Sequence, residues 1–339
     1  MSIDVTLMRE AMGRRLLRRS VASGKMTLPA VPSLLEEYVA MCDKVFAALG
    51  CEFSTEERDH FRSRLAIVSA GAHAASNRSS VVISYEAPIG SVMNYFIGPQ
   101  ASTPDDAGMV ATRETRPFGS DPDARVWALA GETINPRHFR VLDISAGTGR
   151  NALALARRGH PVDVVELTPT FADMIRTEAQ RHLLPIRVID RDLFETMSDL
   201  ENDYKLIVLS EVVTDFRFTE QLRAIFELAA KCLAPEGRLV FNTFMPRPGY
   251  IPDAAARELG QHVHTTIFTG DEIEAAAANL PLRLVADDSV LEYEKTHGAD
   301  GSWPPTDWYA EWVSGHDVFD VPPEQSPVEL RWLVYQKSG

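Results

Sequence analysis

The chain has 339 residues, 45% hydrophobic and 24% charged, with 48 acidic against 34 basic side chains and a formal charge of −14. That length exceeds one ordinary domain and suggests a large domain with a smaller one, each able to bury a core. So acidic a surface repels phosphate backbones and anionic lipids, which argues against nucleic acid and membrane partners, and no apolar run approaches the roughly 20 residues that a membrane helix needs.

The N-terminus carries a basic cluster, Arg14, Arg15, Arg18 and Arg19, around Leu16 and Leu17. No long apolar stretch follows, so it reads as a solvated helix face sooner than as a membrane-surface helix or a secretory leader. Residues 1 to about 120 are expected to form an accessory α+β domain. Leu34, Leu35, Tyr38, Cys42, Val45, Phe46 and Leu49 recur at helical spacing, with Gly50 as a stop. Ser54 and Glu57 have capping-box spacing, and Phe61, Leu65 and Val68 continue that second helix on one face. Val81–Tyr85 reads as a strand, 87–90 as a turn and Val92–Ile97 as another strand. Gly98 to Arg116 has linker composition, and Asp121-Pro122 is expected to start a short helix that Gly131 ends. Cys42, Cys51 and Cys232 are too few and too scattered for a disulfide framework or a zinc site, as suits a reduced, cytoplasmic protein.

From about 138 onward short apolar runs alternate with helical segments, the pattern of βαβ units and a parallel sheet. Strands are expected at 140–144, 162–166, 186–189, 206–210, 238–243, 282–293 and 328–335, with a helix at 271–280 before the last two. The chemistry-bearing stretch is Val141-Leu142-Asp143-Ile144-Ser145-Ala146-Gly147-Thr148-Gly149-Arg150-Asn151, an apolar strand running through a small-residue turn into a helix. Glycines let backbone approach a ligand, and a helix start offers free amides and positive partial charge. Such a turn alone is weakly specific. Its context adds to it: Glu166 ends the next strand 23 residues after Asp143, where a carboxylate can accept from both hydroxyls of a ribose. Thr168-Pro169 marks a helix start. Asp192-Leu193 follows the third strand, placed to accept from an adenine amino group and to offer an amide to its ring, and Ser210-Glu211 ends the fourth.

This series resembles the class I S-adenosylmethionine (SAM)-dependent methyltransferase family over roughly residues 125 to 339. The resemblance implies a Rossmann-like seven-stranded sheet with a reversed last strand. It places Asp143, Ser145, Gly147, Thr148 and Gly149 beside the methionine part of SAM. Glu166 and Leu167 match the ribose site, Asp192 and Leu193 the adenine site, and Ser210 and Glu211 the segment facing cofactor and substrate. Ser145 stands where the family commonly has the first glycine of the turn.

Glu211 and Asp215 are the candidate catalytic or substrate-holding carboxylates; Asp215 reads equally as a helix cap. Between the last two strands an aromatic insertion, about 296–327, carries Trp303, Trp308, Tyr309, Trp312 and Phe319, either packed on the domain or walling the substrate. Tyr85, Tyr95 and Phe96 admit the same two readings, the N-terminal domain then closing the pocket. His160 reads as a surface loop residue, and His262 and His264 lack further ligands for a metal site. The function expected is methylation of a small metabolite. Intramolecular cyclisation of SAM, as in azetidine-2-carboxylate synthases, and a non-catalytic SAM-binding module pairing as a homodimer are the alternatives.

Overall fold

The computed structural model describes residues 8–9, 12, 21–76, 79–88, 93–100, 121–191, 193–196, 199–299, 303–306 and 308–339. The basic N-terminal cluster, most of the expected linker and Asp192 lie outside the described residues. The chain divides into two compact units, 1–103 and 104–339. No helix among the described residues is long and apolar enough to cross a membrane.

Among its described residues the first unit has an antiparallel sheet of order β1-β2-β3 and two helices of defined bounds. Strand β1 is Val21–Pro29, β2 Ser80–Pro88 and β3 Asn94–Gln100; helix α1 is Leu35–Ala48 and α2 Thr55–Ala75. Ser54 and Glu57 make the reciprocal capping box, which satisfies two amides at the start of α2. Buried Cys42, Phe46, Phe61 and Leu65 pack onto Val81 and Ile83 of the central strand. Two features depart from expectation. Strand β1 was not foreseen: with Gly, Ser, Lys and Pro in nine residues, only Lys25-Met26-Thr27-Leu28 alternates polar with apolar, too short a run to announce a strand. Its Gly24 pairs with Tyr85, whose ring lies so close that a Cβ on Gly24 would meet the hydroxyl. Strand β3 also runs on to Gln100, into the stretch with linker composition.

The second unit holds a seven-stranded sheet of order β6-β5-β4-β7-β8-β10-β9. Its strands are β4 Val141–Ile144, β5 Val162–Val165, β6 Ile186–Ile189, β7 Tyr204–Leu209, β8 Leu233–Pro246, β9 Leu282–Ser289 and β10 Val328–Lys337. Strands β4 to β8 pair in parallel, whereas β10 runs antiparallel to both β8 and β9. The reversed last strand is therefore present. Alternation along β4 sends Leu142 and Ile144 to one face, among residues of α7 (Thr219–Cys232) and α9 (Gly270–Ala277), and Val141 to the other. That second face packs α3 (Ala124–Gly131), α4 (Arg150–Arg157) and Ile175 of α5 (Pro169–His182). Between them lie α6 (Leu193–Thr196), α8 (Ala254–His262) and, after β9, α10 (Val290–His297); the insertion carries α11 (Tyr309–Trp312) and α12 (His316–Phe319).

Three expectations are corrected. The strand foreseen to 293 stops at Ser289, whose hydroxyl accepts from Glu292 N–H and starts α10. Helix α3 begins after Asp123 rather than at Asp121-Pro122, and the Asp123 carboxylate makes no cap bond. His160 is buried, its Nδ1 3.1 Å from Phe139 O and its ring edge-on to Phe139, so it is core rather than surface.

Candidate active site

The C-terminal ends of β4, β5 and β7 bring together Asp143, the 145–149 turn, Glu166 and Ser210-Glu211, as open α/β sheets gather their ligands. The turn is built from left-handed backbone: φ is +55° at Ser145, +55° at Gly147 and +85° at Gly149. Ser145 therefore holds a conformation that glycine adopts without cost. At Gly149 a side chain is also barred by space, since a Cβ would lie 2.9 Å from Ile175 and 3.0 Å from Leu153.

Glu166 clamps this turn to the next helix. Its Oε2 accepts from Gly147 N–H at 2.8 Å and its Oε1 from Thr168 N–H at 2.8 Å. Burial raises its pKa, and these two amides oppose the rise. The Thr168 side chain bonds it as well, and the carboxylate keeps acceptor capacity for a ligand hydroxyl. Asp143 is buried behind the turn; burial, with Asp123 nearby, pushes its carboxyl up to about 7. Among the described residues Asp143 Oδ2 and Thr148 Oγ1 have no hydrogen-bond partner. Buried polar atoms left so are costly unless a ligand or water completes them. Leu167 is exposed beside the clamp and Leu193 is buried.

A polar network missed from sequence lies next to this turn. Asp123 Oδ1 is 2.9 Å from Arg150 Nη1, and its Oδ2 accepts from Asn151 Nδ2 at 2.8 Å and Ser210 Oγ at 2.7 Å. Arg150 continues through Nη2 to Glu211 Oε1 at 2.7 Å. Glu211 has φ +61°, and its N–H donates to Asn242 Oδ1 at 2.7 Å. Burial raises the Glu211 pKa, with Arg150 opposing. Glu294 of α10 accepts from the amides of Ala124 and Arg125 and from Trp332 Nε1, so a residue 170 positions away caps α3. The Asp-Pro-Asp run at 121–123 was the only local signal for this network, and it reads equally as a helix start.

In the insertion, Tyr309 and Trp312 are buried in the core, with rings 5.5 Å apart, while Trp308 stays 37% exposed. Burial, then Glu211 and Asp123, raise the Tyr309 pKa well above its usual value. Asp215 lies in the turn after β7 and its Oδ1 is 2.6 Å from His264 Nδ1. Tyr85 and Tyr95 belong to the other unit and pack there against Phe46 and Phe61 at 5.5 and 5.2 Å. Among the described residues no group of His, Cys, Asp or Glu is arranged to hold a metal ion.

Residues 141–237 match the family model described as "Methyltransferase domain". The chain is 30% identical over 141 residues to a demethylmenaquinone methyltransferase of Deinococcus radiodurans, covering 40% of this chain and 56% of that one. It is 32% identical over 142 residues to an uncharacterized methyltransferase of Mycobacterium bovis, covering 41% and 51%. It thus spans about half the length of the curated relatives it matches. A Galdieria sulphuraria structure provisionally named a sarcosine dimethylglycine methyltransferase superposes with a TM-score of 0.50 at 16% identity, covering 69% of this chain and 98% of that one, a likeness of fold.

Proposed function

We propose that this chain, a member of the class I SAM-dependent methyltransferase family by its 141–237 domain and its sheet order, transfers a methyl group from SAM to a nitrogen, oxygen or carbanionic carbon of a small metabolite. The observation that carries the reading is the Glu166 clamp. One carboxylate holds both the Gly147 amide and the start of α5, and so presents its remaining lone pairs at the place a ribose would occupy. Asp143 and Thr148, with buried oxygens lacking partners among the described residues, suit the methionine end of the same ligand. Ser145, Gly147 and Gly149 shape the turn around it, Leu167 and Leu193 flank it, and Ser210 stays tied to Asp123.

Bound SAM supplies an electrophilic methyl on a sulfonium, which leaves readily. The protein's part is to align the acceptor, exclude water and take up a proton. Glu211 shares the Arg150 guanidinium with Asp123, so Glu211 acts through that cluster, as a polar wall, rather than as a lone anchor for a cation. Asp215 remains on the acceptor side, at the end of β7. The net charge of −14 and the burial of Tyr309 near the part-buried Glu211 support a small acceptor over a polymer.

Mass-spectrometric product analysis tests this. SAM incubated with amino-acid and other metabolite pools should yield S-adenosylhomocysteine and a methylated metabolite. Efficient labelling of intact RNA, DNA or protein, with the pools unlabelled, would overturn the small-acceptor reading. Methylthioadenosine from SAM alone would replace methyl transfer by intramolecular cleavage.

A further inference from the structure

We propose that the buried carboxylates gathered round Arg150 read the charge on the ligand's sulfur, so that the site holds the sulfonium of SAM more tightly than the neutral thioether of S-adenosylhomocysteine; the proposal rests on the SAM site read above and adds to it what sets this preference. The cluster is assembled from separate segments. Asp143 lies in β4, Arg150 opens α4, Glu211 follows β7, Asp123 precedes α3 and Glu294 belongs to α10. Arg150 is held by Asp123 at 2.9 Å and by Glu211 at 2.7 Å. Glu294 binds the amides of Ala124 and Arg125, directly after Asp123, and its charge reaches Arg150 as well. The Arg125 guanidinium is committed elsewhere, to Asp288 at 2.7 Å. One guanidinium thus faces the carboxylates of Asp123, Glu211 and Glu294, with Asp143 beside them. Glu166 after β5 and Asp215 after β7 add their negative charge at Asp143 and at Glu211.

Little water screens this excess, since Asp123 and Asp143 are buried, as are Arg150 and Glu294. The carboxyls of Asp143, Glu211 and Glu294 are each pushed up to about 7, by burial first and with Asp123 adding to each rise. Two buried oxygens point to a ligand that completes the cluster. Asp143 Oδ2 and the Tyr309 hydroxyl have no hydrogen-bond partner among the described residues, and Glu211, Asp123 and Glu294 all act on that hydroxyl. A cation at the turn is what such a cluster lacks, because it lets the carboxyls ionise against an opposite charge. SAM and S-adenosylhomocysteine differ by one methyl and one positive charge, while the rest of the ligand meets the same turn and the same Glu166. The cluster therefore acts on the difference between them. Two unit charges about 10 Å apart at an effective dielectric of about 20 change an affinity roughly tenfold. Methyl transfer leaves the carbon–sulfur electron pair on sulfur and the positive charge on the methylated acceptor. The thioether left at the turn is the form that the cluster holds less well, which favours its release.

The test is calorimetry on the full chain at about pH 8 with SAM, S-adenosylhomocysteine and sinefungin, which carries a charged amine in place of the methylsulfonium. SAM and sinefungin should each bind roughly tenfold or more tightly than S-adenosylhomocysteine. Glu211→Gln, which keeps an oxygen for Arg150, and Glu294→Gln should each shrink that ratio roughly 3- to 10-fold, with affinity for S-adenosylhomocysteine within about two-fold of wild type. At about pH 7, heats compared between phosphate and Tris buffers should show SAM releasing more protons than S-adenosylhomocysteine, because a cation ionises the carboxyls. Equal affinity for the three ligands, an unchanged ratio in Glu211→Gln, or equal proton release overturns the proposal. Sinefungin that follows S-adenosylhomocysteine rather than SAM overturns it too, since the methyl group's shape would then set the preference. Should Glu294→Gln fail to fold, Glu211→Gln and the wild-type proton release decide. If none of the three ligands binds, the SAM site itself falls and this proposal with it, whereas binding without preference for charge strikes this proposal alone.

Discussion

Asp123 and Arg150 form a buried ion pair, 2.9 Å between Oδ1 and Nη1, that ties the start of α3 to the start of α4 beside the 145–149 turn. Asp123 is 2% exposed and Arg150 8%, so neither charge has water to fall back on. Asn151 and Ser210 share the same carboxylate. Removing Asp123 leaves a buried guanidinium half-partnered, held by Glu211 alone. Asp123→Ala should therefore destabilise the fold by about 3–5 kcal/mol in denaturant titrations. In a double-mutant cycle with Arg150→Met the two losses should add to less than their sum; full additivity would mean that the pair is not coupled.

Glu166→Gln keeps one carbonyl oxygen in place of two charged acceptors. Affinity for SAM should fall by roughly 10- to 1,000-fold by calorimetry, because hydrogen bonds to charge are worth about 1.5–3 kcal/mol each. The melting temperature should also drop, since the same carboxylate holds Gly147 and Thr168. Full affinity in a folded variant would move the ribose elsewhere.

Two of the three left-handed positions of the turn, Ser145 and Gly149, should respond in opposite directions. Gly149→Ala meets both a positive φ and the side chains of Ile175 and Leu153, and should cost about 2–4 kcal/mol. Ser145→Gly relieves strain and should stabilise by up to about 1 kcal/mol. Equal effects from the two substitutions would contradict the turn geometry.

Asp143 makes stability and ligand affinity run oppositely with pH. Its folded pKa, pushed up to about 7 by burial and by Asp123, lies above its unfolded value. The protonated form thus favours the fold: that contribution is complete below about pH 4 and is lost as pH rises through about 7. The ligand-free melting temperature should fall across this window, and Asp143→Asn should flatten the slope. A cationic ligand prefers the ionised carboxylate, so SAM affinity should rise between about pH 6 and 8, by at most roughly tenfold for one linked proton. A pH-independent wild type, or an unchanged slope in Asp143→Asn, would remove Asp143 from the ligand.

The two units have separate cores. Phe46, Phe61 and Leu65 belong to one cluster, and every residue of the clusters around Leu142 and Val141 comes from position 126 or later. A fragment 121–339 should accordingly fold cooperatively by itself, with a single transition by circular dichroism. A molten fragment would show that the units depend on one another.

The sequence by itself determined the parallel sheet, the left-handed glycine turn after β4 and the acid at the end of β5, because these are local: apolar runs, glycines and an acid at a strand end stand next to one another in the chain. The capping box at Ser54 and the helix start at Thr168-Pro169 were legible for the same reason. Only the tertiary structure decided the rest. Strand β1 exists because β2 offers it a partner and Tyr85 covers its glycine, neither visible in its own residues. The helix start was expected at Asp121-Pro122, yet Glu294 caps α3 from across the chain and leaves the Asp123 carboxylate to Arg150. Asp215 gains its partner from 49 residues away. Burial and long-range pairing set what a carboxylate does, and both arise only when distant segments of the chain are packed together.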